Sequence, residues 1–556
     1  MAKYTIGVDF GSLSGRALLV NVENGQEIDS KEYKYPHGVM DEQLPGGEKL
    51  DHDWALQHPK DYIEVFENTI SSLLKENAID KSDVIGIGVD FTACTVLPVK
   101  ADGTPLCFID EYKNRPHAYV KLWKHHAAQD QANRLNSLAH SEKEDWINRY
   151  GGKISSEWAF PKLWQIVEED FEIYEEMDRF IEATDWVTWM LTGEEKRNSC
   201  TAGYKAMWHK KHGFPENEFF KKLDPRLDEV IDKKFSRDIV PLGARAGELS
   251  KYGASITGLL EGTPVSVANV DAHVTVPAVK IYEPGKILAI MGTSTCHILL
   301  DDKEVEVPGI CGVVEDGVLP GLYGYEAGQA CVGDSLAWFV DNCVPEEYEK
   351  KAREENLDIH EYLTNKAAEL RVGESGLVAL DWWNGNRTIL VDVDLTGVIV
   401  GMNLLTKPEE IYRALIESTA FGTKVIIDNF RQHGVEVNEF YASGGISQKN
   451  PFMMQVYADV LDMPIKIAGS EQGPALGSAI FAAVAAGSEN GGYDSVVEAS
   501  KVMGKLKDIV YYPNKENALI YEQIYKEYLL LHDYFGRGTN DVMKRLKNIK
   551  AKVSED

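Results

Sequence analysis

A strand, a turn of small residues and a second strand occur twice in this chain, and that repetition restricts its fold more than any other feature. The first copy is Tyr4-Thr-Ile-Gly-Val-Asp9-Phe-Gly-Ser-Leu-Ser-Gly-Arg16-Ala-Leu-Leu-Val20, and the second is Lys286-Ile-Leu-Ala-Ile-Met-Gly292-Thr-Ser-Thr-Cys-His-Ile-Leu-Leu300. Gly11, Ser12, Ser14 and Gly15 can turn sharply and aim backbone N–H groups at an anion, while Asp9 at the strand end suits a hydrated Mg²⁺. The second turn offers Gly292, Thr293, Ser294 and Thr295 and no charge. One copy therefore reads as the metal side of a duplicated clamp and the other as its phosphate side. Each hairpin alone also suits an ordinary α/β protein, and a chance pair stays open at this level.

A chain of 556 residues exceeds what a single core supports, and the duplication favours two large domains. Apolar residues make up 44% and charged residues 26%, the profile of a globular protein. No apolar run approaches the roughly 20 residues that span a bilayer. The N-terminus enters a strand without a basic and apolar leader, so a cytoplasmic location is expected. Seven scattered cysteines lack a C-x-x-C pair, which argues for reduced thiols and against a zinc site. His125-His126 is expected on the solvated face of a helical stretch. A net charge of −30 disfavours nucleic acid and anionic membrane as partners. It also means that a nucleotide would be held by backbone N–H groups, Mg²⁺ and a few cations.

The periodicity predicts a helix over Pro59–Asn77, a buried strand over Val84–Asp90, and a hairpin over Thr95–Phe108 around Asp102-Gly103. The stretch from Arg115 to Asn198 is mostly helical, with tryptophans that are chiefly core. Gly262–His273 is a strand ending in a polar cluster. Turn chemistry in Tyr282-Glu-Pro-Gly285 puts the domain boundary near residues 274 to 286. This gives an N-terminal domain over 1–280, a C-terminal domain over 281–540, and a charged, frayed tail over 541–556. In the second half, a long amphipathic helix over Glu409–His433 precedes a strand that enters the double-glycine turn Gly444-Gly445. That turn suits positive φ or the close approach of a flat ligand such as adenine. A helix over Pro451–Leu461, a strand over Pro464–Ala468 and a small-residue helix after Gly473 follow.

Neither G-x-x-x-x-G-K-[ST] nor G-x-G-x-x-G is present. Asp9-Phe-Gly-Ser-Leu-Ser-Gly-Arg16, Asn269-Val-Asp271-Ala-His273, Met291-Gly-Thr-Ser-Thr and Gly444-Gly-Ile-Ser-Gln-Lys-Asn450 through Gln455 and Asp459 occur in that order. In this order the chain resembles the FGGY carbohydrate kinases of the actin, sugar-kinase and heat-shock ATPase superfamily, from Tyr4 to about Phe535. Ser12 stands where threonine is more usual, and Ala268 and Asn269 replace glycines common before the aspartate. The resemblance implies an α/β, two-domain actin-like ATPase (ribonuclease H-like) fold with a catalytic cleft between the domains.

The resemblance further implies transfer of the ATP γ-phosphoryl group to a sugar. Val89-Asp-Phe-Thr-Ala-Cys-Thr and Arg115–His126 are most similar to members acting on the 5-hydroxyl of L-ribulose. Asp271 would accept the hydroxyl proton, and Asp9 would hold Mg²⁺ through water. Gly11, Ser12, Ser14, Arg16, Gly292, Thr293, Ser294, Gly333, Gly444, Gly445 and Asn450 would hold ATP. Ala93, Lys205, Glu326 and Asp271 would contact the sugar, Lys205 and Glu326 being charges set among small residues. Other pentuloses or polyols are the alternative substrates, and an actin-like or chaperone-like ATPase is the alternative class. Sugar and ATP are the expected partners, and a homo-oligomer is compatible with the sequence.

Overall fold

The computed structural model describes residues 2–554. The first half builds a seven-stranded sheet from β1 (Tyr4–Phe10), β2 (Ser14–Asn21), β3 (Glu27–Lys34), β4 (Val84–Phe91), β5 (Arg245–Glu248), β6 (Pro264–Ser266) and β7 (Asn269–Val270), in the order β5-β6-β4-β1-β2-β3 with β7 also on β4. The second half builds another from β8 (Lys286–Met291), β9 (Thr295–Asp301), β10 (Gly312–Glu315), β11 (Tyr323–Gln329), β12 (Glu439–Ser443), β13 (Ile465–Ala468) and β14 (Leu506–Tyr511), in the order β10-β11-β9-β8-β12-β13-β14. Both contain an antiparallel hairpin whose first strand pairs in parallel with a later one, β1 with β4 and β8 with β12. The duplication expected from two hairpins is thus a duplication of whole sheets.

Seven helices position the site: α1 (Pro59–Glu76), α2 (Ser199–Lys205), α3 (Asp271–Ala278), α4 (Gly333–Cys343), α5 (Pro408–Gln432), α6 (Pro451–Leu461) and α7 (Gly473–Ala486). On α1, Tyr62, Val65, Phe66, Ile70 and Leu73 recur at helical spacing and are buried against the first sheet. The opposite side of that sheet shares one apolar core with the second half, in which Leu18 and Val20 of β2 join Val274 of α3, Leu288 of β8, Ile298 of β9 and Ile480 of α7.

Helix α7 lies between β13 and β14 of the second sheet in sequence yet packs on the first sheet. Small residues make this possible. A Cβ on Gly7 would lie 1.8 Å from the Ala475 carbonyl oxygen, one on Gly88 2.1 Å from that of Ser478, and one on Gly477 1.9 Å from that of Val274. These neighbours are backbone atoms, which cannot rotate away. Gly7→Ala and Gly477→Ala are each expected to cost about 3 kcal/mol or more, read as a fall in thermal midpoint. Gly445→Ala, where the added carbon meets open space, is the control.

Three local expectations change. The turn at Asp102-Gly103 forms, with Lys100 N donating to Thr104 O at 2.9 Å, but the hairpin stops after one bridge between Val99 and Pro105. Pro105 has no N–H to extend a ladder, the chain turns into a 3₁₀ helix over Leu106–Phe108, and Val96–Val99 pairs instead with Arg179–Glu182. His125 lies outside any helix and is fully buried, its Nε2 meeting Gln165 Oε1 at 2.8 Å and its Nδ1 accepting from Ala55 N at 3.3 Å; His126 is exposed. The tail forms a helix, Val542–Ser554, docked through buried Met543 and the pairs Lys544–Asp392 and Lys547–Asp394. Trp146, Trp158, Trp164, Trp186 and Trp189 are buried as expected, whereas Trp123 is 39% exposed.

Candidate active site

Three carboxylates meet at the carboxyl ends of parallel strands. The register sets Asp9 opposite Asp90 and Asn269 opposite Asp90, and Asp271 follows β7 as the first residue of α3. Strand ends of this kind are where open α/β sheets place ligands. Burial raises the pKa of all three. It pushes Asp271 up to about 7, helped by the charge of Asp9, against the Ala272 N–H that its Oδ1 accepts at 2.6 Å. It raises Asp9, opposed by Asp90 and Arg16, and it raises Asp90 well above the usual range, reinforced by Asp9. Asp90 Oδ2 accepts from Ser478 Oγ of α7 at 2.5 Å, while its buried Oδ1 meets no donor among the described residues. Carboxylates gathered in this way, one with an orphaned oxygen, are a donor set suited to a hard divalent cation.

The first turn closes with Gly11 N donating to Ser14 O at 2.9 Å. Ser12 faces the helical part of the first half, where its Oγ accepts from Trp123 Nε1 at 3.0 Å and its carbonyl from Gln57 Nε2 at 2.7 Å. Ser14 Oγ donates to Glu32 Oε1 at 2.6 Å, and Arg16 reaches Gln472 Oε1, just before α7, at 2.7 Å.

The second turn closes the same way, Gly292 N donating to Ser294 O at 2.9 Å, with Gly292 and Thr293 exposed and Ser294 half-buried. It sits on the start of α4, where Val332 N donates to Thr293 O at 2.8 Å and Gly333 N to Gly292 O at 3.0 Å. A Cβ on Gly333 would lie 2.7 Å from Gly292 O, and one on Gly444 2.4 Å from Met291 O. Gly444 has φ of 90°, and Gly445 opens a single helical turn. Gly292, Gly333, Gly444 and Gly445 therefore form one side-chain-free platform. Asn450 stands at its edge, capping α6 by accepting from Met453 N at 2.9 Å and donating to Thr364 Oγ1 at 3.4 Å.

Lys205 at the end of α2 and Glu326 in β11 come from different halves and pair at 2.7 Å, each side chain only 3% exposed. Burial opposes both charges. Even so, Glu326 holds the Lys205 ammonium above its ordinary pKa, and Lys205, His273 and Arg387 hold Glu326 well below its own. Arg387 NH2 donates to Glu326 Oε1 at 3.0 Å, and His273 Nε2 lies 3.4 Å from Oε2. Ala93, half-buried in the loop after β4, packs between the core of the helical region and the core shared by the halves.

From sequence, Asp90 is read as a strand-end residue, and neither it nor His273 nor Arg387 is given a role in the site. Asp90 had a readable signal. Ile6-Gly-Val-Asp9-Phe10 and Ile87-Gly-Val-Asp90-Phe91 are identical pentapeptides that lie side by side in register, with Phe10 and Phe91 stacked at 4.9 Å. Nothing in the local sequence marks Arg387.

The N-terminal domain of the FGGY family of carbohydrate kinases matches residues 4–276, and the C-terminal domain of that family matches residues 287–486. The chain is 58% identical to a ribulokinase of Anoxybacillus flavithermus over 549 residues, covering 99% of this chain and 97% of that one. It is 59% identical to a ribulokinase of Bacillus licheniformis over 539 residues, covering 97% and 98%. The structure of a xylulose kinase from Rhodospirillum rubrum superposes with a TM-score of 0.79 at 20% identity over 95% of this chain and 98% of that one, a likeness of fold. With both domain models matched and near-full-length relatives above half identity, the chain belongs to the FGGY family of carbohydrate kinases.

Proposed function

We propose that the protein transfers the γ-phosphoryl group of ATP to the 5-hydroxyl of L-ribulose, giving L-ribulose 5-phosphate and ADP. The observation that carries this reading is the position of Asp271, a half-buried carboxylate at the start of α3 beside two further strand-end carboxylates, with burial pushing its pKa up to about 7. The choice of sugar rests on the two ribulokinases that share 58% and 59% of their residues with it.

Asp271 takes the proton of the sugar hydroxyl as that oxygen bonds to the γ-phosphorus, and the bond from phosphorus to the β,γ-bridging oxygen breaks to release ADP. Asp9 and Asp90 would hold Mg²⁺, which when bound neutralises charge on the phosphates. Backbone N–H groups at Ser12, Thr293 and Ser294, with the hydroxyls of Thr293 and Ser294, hold phosphate oxygens. Ser14 and Arg16 brace the first turn from outside through Glu32 and Gln472. The platform of Gly292, Gly333, Gly444 and Gly445 admits the nucleotide, with Asn450 shaping its edge. Ala93, Lys205 and Glu326 line the sugar's place. Closure of both halves around the two substrates keeps water from competing as nucleophile.

ADP release with Mg·ATP is the test, run against L-ribulose, D-ribulose, D-xylulose, ribitol and glycerol. L-Ribulose giving the highest kcat/KM is the expected result; turnover independent of any sugar would overturn the reading.

The acid side of the pH profile is a second expectation. Asp271 must be ionised to accept a proton, and its raised pKa keeps it protonated at pH values where an ordinary aspartate has ionised. Below a midpoint at or under about 7, kcat/KM for the sugar falls about tenfold per pH unit. A cation beside Asp9 removes part of the upward push and moves the midpoint down. A profile flat to about pH 4, the ordinary carboxylate range, would remove Asp271 as the base.

A further inference from the structure

We propose that Arg387 is a substrate-binding residue of the second half, one edge of its guanidinium anchored on Glu326 and its remaining donors offered to oxygen atoms of the sugar. The inference rests on the sugar-kinase reading of the same site.

Its placement is built. Asn386 and Asp392 exchange backbone hydrogen bonds at 2.9 Å in both directions, and Asn386 Oδ1 accepts from Leu390 N at 2.9 Å. Thr388 Oγ1 accepts from Gly328 N of β11 at 3.1 Å, which ties the loop to the strand that carries Glu326. Gly328 also clears the way for the side chain, because a Cβ there would come 3.2 Å from Arg387 Cδ and 3.3 Å from NH1. A loop pinned at three points, beside a strand that gives up its side chain, holds the arginine in one place.

A guanidinium has five N–H donors in a planar fork. Arg387 spends one on Glu326. Its side chain is 36% exposed where Glu326 is 3%, although the guanidinium is deeply surrounded by protein. That combination describes a group lining a cleft. Lys205 and Arg387 both face Glu326, and Glu157 is a second carboxylate whose charge acts on Arg387. What Arg387 offers the oxygens of a polyhydroxy ligand is therefore its unspent N–H donors. A bracing role for Glu326 alone would need the charge and not the fork.

Arg387→Gln and Arg387→Lys separate these roles. Steady-state kinetics with L-ribulose and Mg·ATP, calorimetric binding of L-ribulose without nucleotide, and thermal midpoints are measured on the full chain. Arg387→Gln is expected to raise KM and Kd for the sugar about 10- to 100-fold, with KM for Mg·ATP within about threefold. Arg387→Lys keeps the charge but loses the fork, and its sugar KM and Kd remain raised at an unchanged thermal midpoint. Full recovery by Arg387→Lys, or unchanged sugar affinity in Arg387→Gln, overturns the inference. If Arg387→Gln fails to fold, the lysine variant decides alone. Wild-type protein without sugar-dependent ADP release or sugar binding would instead overturn the reading of the site.

Discussion

Asp271→Asn is expected to lower sugar-dependent kcat by about 10²- to 10⁴-fold, the usual contribution of a positioned general base. The amide has the shape of the carboxylate and cannot take a proton. Affinity for Mg·ATP should stay within a few-fold, because the nucleotide platform belongs to the second sheet. The thermal midpoint should hold or rise. Burial and the charge of Asp9 both resist ionisation of Asp271, so removing the charge relieves the fold of a cost it bears at neutral pH. ADP release under single-turnover conditions, followed beside thermal melting, checks both parts. A variant retaining more than a tenth of wild-type turnover would exclude Asp271 as the proton acceptor.

The second large effect concerns stability. Lys205 and Glu326 pair across the two halves with side chains 3% exposed, and a buried pair broken on one side leaves an uncompensated charge, at about 3–5 kcal/mol. Lys205→Met should approach the lower end, since Arg387 and His273 still face Glu326. Denaturant unfolding at pH 7 measures it, and a loss below about 1 kcal/mol would mean that the pair does not hold the halves together. The pH dependence has a defined sign. Glu326 is depressed in the fold, so its contribution is complete above the ordinary glutamate range and declines as acid protonates it. Lys205 is raised, so its contribution is complete below the ordinary lysine range and fades in strong alkali. The stabilisation is therefore full across neutral pH.

Much of the site was legible because its chemistry is local. A turn that presents backbone N–H groups must be made of small residues, and such turns stand out between apolar strands, as at Gly11–Gly15 and Gly292–Ser294. Asp9 and Asp271 were readable because each directly follows or ends a strand. The failures also have local causes. Pro105 ended a hairpin that the Asp-Gly turn had started, and His125 looked solvated because the residues around it are polar. The terminal helix looked frayed because its anchor, Met543, is buried among residues that are mostly charged.

By itself, the order of residues determined the two hairpins, the α/β alternation, the strand-end aspartates and the family, all of which depend on spacing within a few residues or on motifs in series. Only tertiary structure decided which distant groups meet. It laid Asp90 beside Asp9, carried Ser478 on α7 across to Asp90, and brought Lys205, His273, Glu326 and Arg387 from four segments into one buried network. The physical reason is that a buried charge is tolerated only where its partners are within a few ångströms, and such distances are set by the packing of α7 and the pairing of strands, which no local pattern encodes.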